Sequence, residues 1–213
     1  MTTDKTTDKG RYHHGNLRPT LLSVARALLE EGGPEALSLR EIGRRAGVSA
    51  PAAYHYFSSL DAIAAALAEQ GFAELSERID AALVGPRRHL LAGGIAYVAF
   101  ARANPGLYRL MFGEGFQAYA KGNEAIGASR MRVYRQMKED LEKRLAPEKV
   151  ANAALFLWSL THGLALLMID GQIEPGVDPD AKAEEVLKLA GLGLPAAKRC
   201  VDGFSGLPRT PDA

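Results

Sequence analysis

Residues 39–57 read Leu-Arg-Glu-Ile-Gly-Arg-Arg-Ala-Gly-Val-Ser-Ala-Pro-Ala-Ala-Tyr-His-Tyr-Phe. In this stretch sit Arg40, Arg44, Arg45, Tyr54, His55 and Tyr56, side chains that can bind an anion or donate a hydrogen bond. Contacts to a phosphate backbone require positive charge and hydroxyl donors. A helical hairpin with a solvated basic face would carry the same residue types. The punctuation of the stretch favours the first reading.

Ser38 is placed to cap a short helix over 39–46, and Glu41 three residues on completes a capping box. Gly47 then supplies a left-handed turn residue. Ser49 caps a second short helix ending at Phe57, with Pro51 in its first turn, where no amide donor is needed. Leu39, Ile42, Ala46 and Val48 fall on one side. They can pack on a preceding amphipathic helix over 16–31, whose apolar residues Leu17, Leu21, Val24, Ala25 and Leu28 recur at helical spacing. Gly32-Gly33-Pro34 ends that helix. Two short helices joined by a tight turn form a helix-turn-helix, whose second helix can enter a major groove.

Composition narrows the alternatives. The 213 residues hold 26 Lys and Arg against 25 Asp and Glu, a net charge of +1. Such a chain does not coat nucleic acid indiscriminately. The first 60 residues carry a net of +2 and the remainder a net of −1. A single cysteine, Cys200, excludes an intramolecular disulfide and a cysteine-based zinc site. It fits a reducing compartment, and a cytoplasmic protein is expected. The opening MTTDKTTDKG has no apolar core and does not read as a secretory signal; residues 1–10 are expected to be disordered. No phosphate loop, nucleophile elbow, metal-ligand set or paired carboxylates stand out, so no enzyme activity, cofactor or metal is expected.

Beyond residue 58 the pattern stays helical, with segments expected at 59–84, 87–103, 105–112, 124–145, 147–170 and 179–192. Nothing alternates as a strand, so the fold class is all-α. A head over 11–60 is expected to precede a helical bundle over 61–194 and a loose tail over 195–213. The stretch from Ala153 to Ile169 is interrupted by Ser159, Thr161 and His162, which favours a buried helix over a membrane span. The segment 147–170 is apolar around most of its circumference and must be buried on several sides.

The pattern of the first 63 residues, with a helix and Gly-Gly before Leu37, resembles the TetR family of bacterial transcription regulators. It runs Leu37-Ser38-Leu39-Arg40-Glu41-Ile42, then Ala46-Gly47-Val48-Ser49, then Tyr54-His55-Tyr56-Phe57 before a long fourth helix. The second half is similar to a subgroup carrying Trp158, His162 and Gly163 together with the run Asn104–Phe112. The resemblance implies a homodimer on a palindromic duplex, with groove contacts from Arg40, Ser49, Ala50, Pro51, Ala52, Tyr54, His55 and Tyr56. It also implies a small, largely apolar inducer. Candidate inducer contacts are Tyr97, Phe100, Tyr108, Met111, Phe112, Tyr134, Trp158 and His162. Candidate dimer contacts are Leu157, Leu164 and Leu187. The chain departs from the family at Leu60, where a lysine is usual, and at Ala50-Pro51-Ala52, which offers no side-chain hydrogen bond. Base reading then rests on Arg40 and on apolar contact with thymine methyls. Lys9, Arg11, His13, His14 and Arg18 are either an arm that adds phosphate or minor-groove contacts or a solvated flexible tail. An enzyme with a helical lipophilic pocket and an architectural DNA-binding protein without a ligand are the alternatives.

Overall fold

The computed structural model describes residues 17–84, 90–173 and 176–191. The two expected tails and residues 87–89 lie outside them, as do Lys9, Arg11, His13, His14 and Cys200. Among the described residues there is no strand, and the helices in chain order are α1 (Leu17–Gly32), α2 (Leu39–Arg45), α3 (Ala50–Tyr56), α4 (Leu60–Ala82), α5 (Leu90–Ala103), α6 (Pro105–Phe112), α7 (Phe116–Ala120), α8 (Glu124–Glu142), α9 (Pro147–Ile169) and α10 (Pro179–Leu189). A single 3-10 turn, Pro34–Ala36, follows α1. These helices follow the expected order. The exceptions are α7, which lies between two glycine-bounded turns, and the end of α8, reached three residues before 145.

The described residues divide into two compact units, 17–78 with 100–133 and 79–99 with 134–191. The first holds α1 to α3, most of α4, α6, α7 and the start of α8. Leu21, Leu29, Ile42, Ile63, Leu67, Leu75 and Leu107 are fully buried there. Phe72 of α4 meets Phe112 and Phe116 edge-on at 5.3 and 5.9 Å. Gly71 lets α6 lie close against α4: a Cβ at that position would stand 2.5 Å from Met111 Sδ and 2.8 Å from Leu107 Cδ2.

The second unit has two apolar clusters. Leu91 and Val98 of α5 pack with Leu164 of α9 and with Ala183 and Leu187 of α10. Leu141 of α8 packs with Val150, Ala154 and Leu157 of α9. Helix α9 is long and apolar enough to cross a membrane by length and composition. It supplies residues to both clusters, with Val150, Ala154, Leu157, Leu164 and Ala165 buried.

This packing corrects the expected dimer contacts. Leu157, Leu164 and Leu187 are only 5%, 5% and 0% exposed and lie in their own chain's core. The outward side of α9 instead carries Leu155 and Phe156, 60% and 55% exposed. The helix is apolar almost all round, so periodicity could not separate its inner from its outer side.

Candidate nucleic-acid interface

The turn between α2 and α3 is built from the sequence upward. Ser38 Oγ accepts the Glu41 amide at 3.1 Å, which caps α2. Gly47 takes φ +72°, a conformation strained for any residue with a Cβ. Its neighbour Val48 donates its amide to Gly43 O at 2.9 Å and closes the turn. Ser49 Oγ then accepts the Ala52 amide at 3.4 Å, and Pro51 occupies the first turn of α3. Ala53 is fully buried, and the Phe57 ring beneath the end of α3 is almost so. The guanidinium of Arg18 lies 5.0 Å from the centre of that ring, so this arginine braces α1 against the end of α3.

With Ala53 turned inward, the rest of α3 faces out. Ser49, Pro51, Tyr54 and His55 are exposed; Ala50, Ala52 and Tyr56 are partly so. Tyr54 is 54% exposed. The rings of His55 and Tyr56 meet edge-on at 5.5 Å. All eight residues expected at the groove therefore lie on this turn and its two helices, Arg40 in the first turn of α2.

The three arginines are not equivalent. Glu41 does not reach back to complete a capping box. Its carboxylate is taken by Arg44, at 2.6 and 2.8 Å, and by Arg45, at 2.9 Å. Arg45 also binds both oxygens of Glu31 on α1, at 2.8 and 2.7 Å. Arg40 is exposed and makes no ion pair with the described residues. It stands at the positive end of α2, where a cation does the helix no service.

The candidate inducer contacts separate into two sets. Phe100, Tyr108, Met111 and Phe112 belong to the first unit, and the first three are fully buried in its core. Tyr97, Tyr134, Trp158 and His162 belong to the second. There Tyr97 Oη lies 3.2 Å from His162 Nδ1, and the rings of Tyr134 and Trp158 are 6.3 Å apart. Partial burial lowers the pKa of His162 and favours its neutral form.

Arg44 and then Arg45 hold the Glu41 carboxyl down, to about 2. A carboxyl depressed in the folded state stabilises it above the unfolded value, near 4.5, and that contribution is lost as pH falls toward 2. Glu41→Gln removes the titration, so a pH series of melting temperatures should fall less steeply between 4.5 and 2 than in the wild type. Parallel curves for the wild type and the variant would mean that the pair contributes nothing; exposure keeps the expected difference small.

Comparison with known proteins agrees with this geometry. Residues 21–67 match the model of the bacterial regulatory proteins of the tetR family. Residues 90–190 match the tetracycline repressor-like C-terminal domain, so the two matches cover more than half of the chain. The chain is 27% identical over 157 residues to YobS of Bacillus subtilis, an uncharacterised HTH-type transcriptional regulator, across 72% of this chain and 80% of that one. A Rhodococcus sp. RHA1 structure of unknown function is 29% identical, with a TM-score of 0.71 over 87% of this chain and all of that one. A TetR-family regulator from Streptomyces coelicolor is 25% identical, with a TM-score of 0.65 over 84% and 80%. With the helix-turn-helix head and both halves matched, the chain belongs to the TetR family of bacterial transcriptional regulators.

Proposed function

We propose that this regulator is a homodimer that reads a palindromic duplex through α2 and α3 and is released by a small, largely apolar effector. It acts in the cytoplasm as a repressor and catalyses no reaction. The observation that carries the reading is the outward set of α3 beside Arg40. Arg44 and Arg45 are already held by Glu41 and Glu31, while Arg40 has no such hold among the described residues. A guanidinium of that kind suits a guanine edge, and Ala50, Pro51 and Ala52 suit thymine methyls. Tyr54 and Tyr56 suit phosphates. In the second unit, the Tyr97–His162 pair supports a role in orienting a polar group of the effector.

The partner copy is assigned to the outward side of α9. Leu155, Ser159, Gly163 and Leu167 recur every four residues there, beside Phe156. A Cβ at Gly163 would meet nothing within 4 Å, so this side is open and its middle is small. Two copies packed across it would bury the exposed leucines and phenylalanine as a four-helix contact with α10. A second copy, rather than a bilayer, is the occupant consistent with α9's inner side being part of a protein core.

Two experiments test these assignments. Arg40→Ala should cost about 1–3 kcal/mol on a duplex enriched from a randomised pool and should relax the sequence preference. Tyr54→Phe should weaken preferred and random duplexes alike. Equal losses on both duplexes for Arg40→Ala would remove it as the reader. Phe156→Asp should give a folded monomer by sedimentation and circular dichroism, whereas Leu187→Asp should unfold the chain, because it buries an unpaired charge. Intact dimers for both Leu155→Asp and Phe156→Asp would overturn the assignment.

A further inference from the structure

The corner between α5 and α6 is locked onto α1 by side chains rather than by packing alone. Asn104 gives α6 no side-chain cap. Glu30 of α1 supplies one from 76 residues away: its carboxylate accepts the Gly106 amide at 2.8 Å and the Leu107 amide at 3.0 Å, one on each oxygen. A carboxylate at this end also meets the positive end of the α6 dipole. Arg26, one turn earlier on α1, pairs with Glu30 at 3.4 Å and donates to Asn104 Oδ1 at 2.7 Å. Asn104 in turn donates to Phe100 O at 2.8 Å, which ties the end of α5 into the same knot. Arg26 also reaches both carboxylate oxygens of Glu74 on α4, at 3.3 Å each.

Gly106 makes the approach possible. A Cβ on it would stand 2.1 Å from Leu29 O, 2.6 Å from Leu29 C and 3.0 Å from Glu30 Cα. All three are backbone atoms of α1 and cannot swing aside. The consecutive carboxylates of α1 therefore face two ways. Glu30 grips α6, and Glu31 grips Arg45 of α2. Farther toward its start, α1 bears on the end of α3 through Arg18 and Phe57. Every one of these residues lies in the same compact unit.

We propose that Glu30 and Gly106 are positioning residues for DNA reading: their clamp lets α6 set the orientation of α1, and through α1 that of α2 and α3, by a route that does not pass through α4. This rests on α2 and α3 being the face that meets DNA. Neither residue is offered as a DNA contact. Moving α6 away from α1 would stretch two charge-assisted hydrogen bonds or carry the reading helix with it. Two half-sites on a duplex have a fixed separation, so a small rotation of each head is enough to spoil the match. Phosphate contacts, which carry no sequence information, tolerate it better.

The test uses the full-length chain, a duplex enriched by the wild type from a randomised pool, and a scrambled duplex of equal length. Glu30→Gln keeps the side-chain length but sets an amide donor against one of the α6 amides. Gly106→Ala forces the two backbones apart. Both variants should lose about tenfold in preference for the enriched duplex, while scrambled-duplex affinity and its salt slope stay near wild type. Glu184→Gln, which breaks an exposed ion pair with Lys188 on α10, should change neither. If Gly106→Ala fails to fold, Glu30→Gln alone decides. Folded variants with wild-type preference, or with equal losses on both duplexes, overturn the proposal. Failure of the wild type to enrich any duplex would overturn the DNA reading first and this inference with it.

Discussion

A seven-residue helix cannot hold itself in water, because nucleation costs more than one turn of hydrogen bonds returns. Helix α3 is that short, and its shape is imposed from outside. Ser49 and Pro51 start it, Ala53 anchors its inner side, and the Phe57 amide closes it on Ala53 O at 3.0 Å. Helix α2 packs closely on it at Gly43, where a Cβ would be in ordinary contact with Val48 O at 3.4 Å and Ala53 Cβ at 3.5 Å. The outward residues of α3 can face solvent because a single alanine and the ring after it do the anchoring. The rest of the first unit can be understood as the support of this one short helix, with α1 as the rod on which it rests.

Electrostatics follows the same division of labour. A chain with a net charge of +1 has little long-range attraction for DNA, so local arrangement must decide where a duplex docks. Arg44 and Arg45 look in the sequence like phosphate ligands. In the structure both pair with Glu41 within α2, and Arg45 also pairs with Glu31 and so holds α2 to α1. Exposed pairs of this kind contribute little to stability, but they orient long side chains. Arg40 is left as the arginine of this stretch with no ion pair among the described residues.

The helix-turn-helix was legible because it is local. Caps, turn glycine and apolar spacing all lie within 20 residues of one another, and each has a direct structural consequence. Helix order along the rest of the chain was legible for the same reason, through its glycines and prolines. Long-range choices were not. Glu30 reads as a solvated charge near a helix end, and nothing near it in sequence announces the α6 amides that it caps. Helix α7 has five residues, too few for periodicity to show. The inner and outer sides of α9 differ by neighbours contributed from α5, α8 and α10, so Leu157 and Phe156, adjacent and equally apolar, end on opposite sides. The unit boundary at Arg78 and Ile79 falls inside a continuous helix, because the first part of α4 packs with α1 and α6. The inducer candidates were chosen by residue type, which cannot tell a packed core ring such as Tyr108 from a contact residue.

The central claim is that the duplex is met by residues 38–57. Amide hydrogen exchange of the full-length chain, alone and saturated with a duplex enriched from a randomised pool, tests it directly. The account predicts slowed exchange concentrated over 38–57, with the largest change at α3. Slowing confined to another basic surface, such as the exposed arginines 130, 132 and 135 of α8, with 38–57 unchanged, would contradict it.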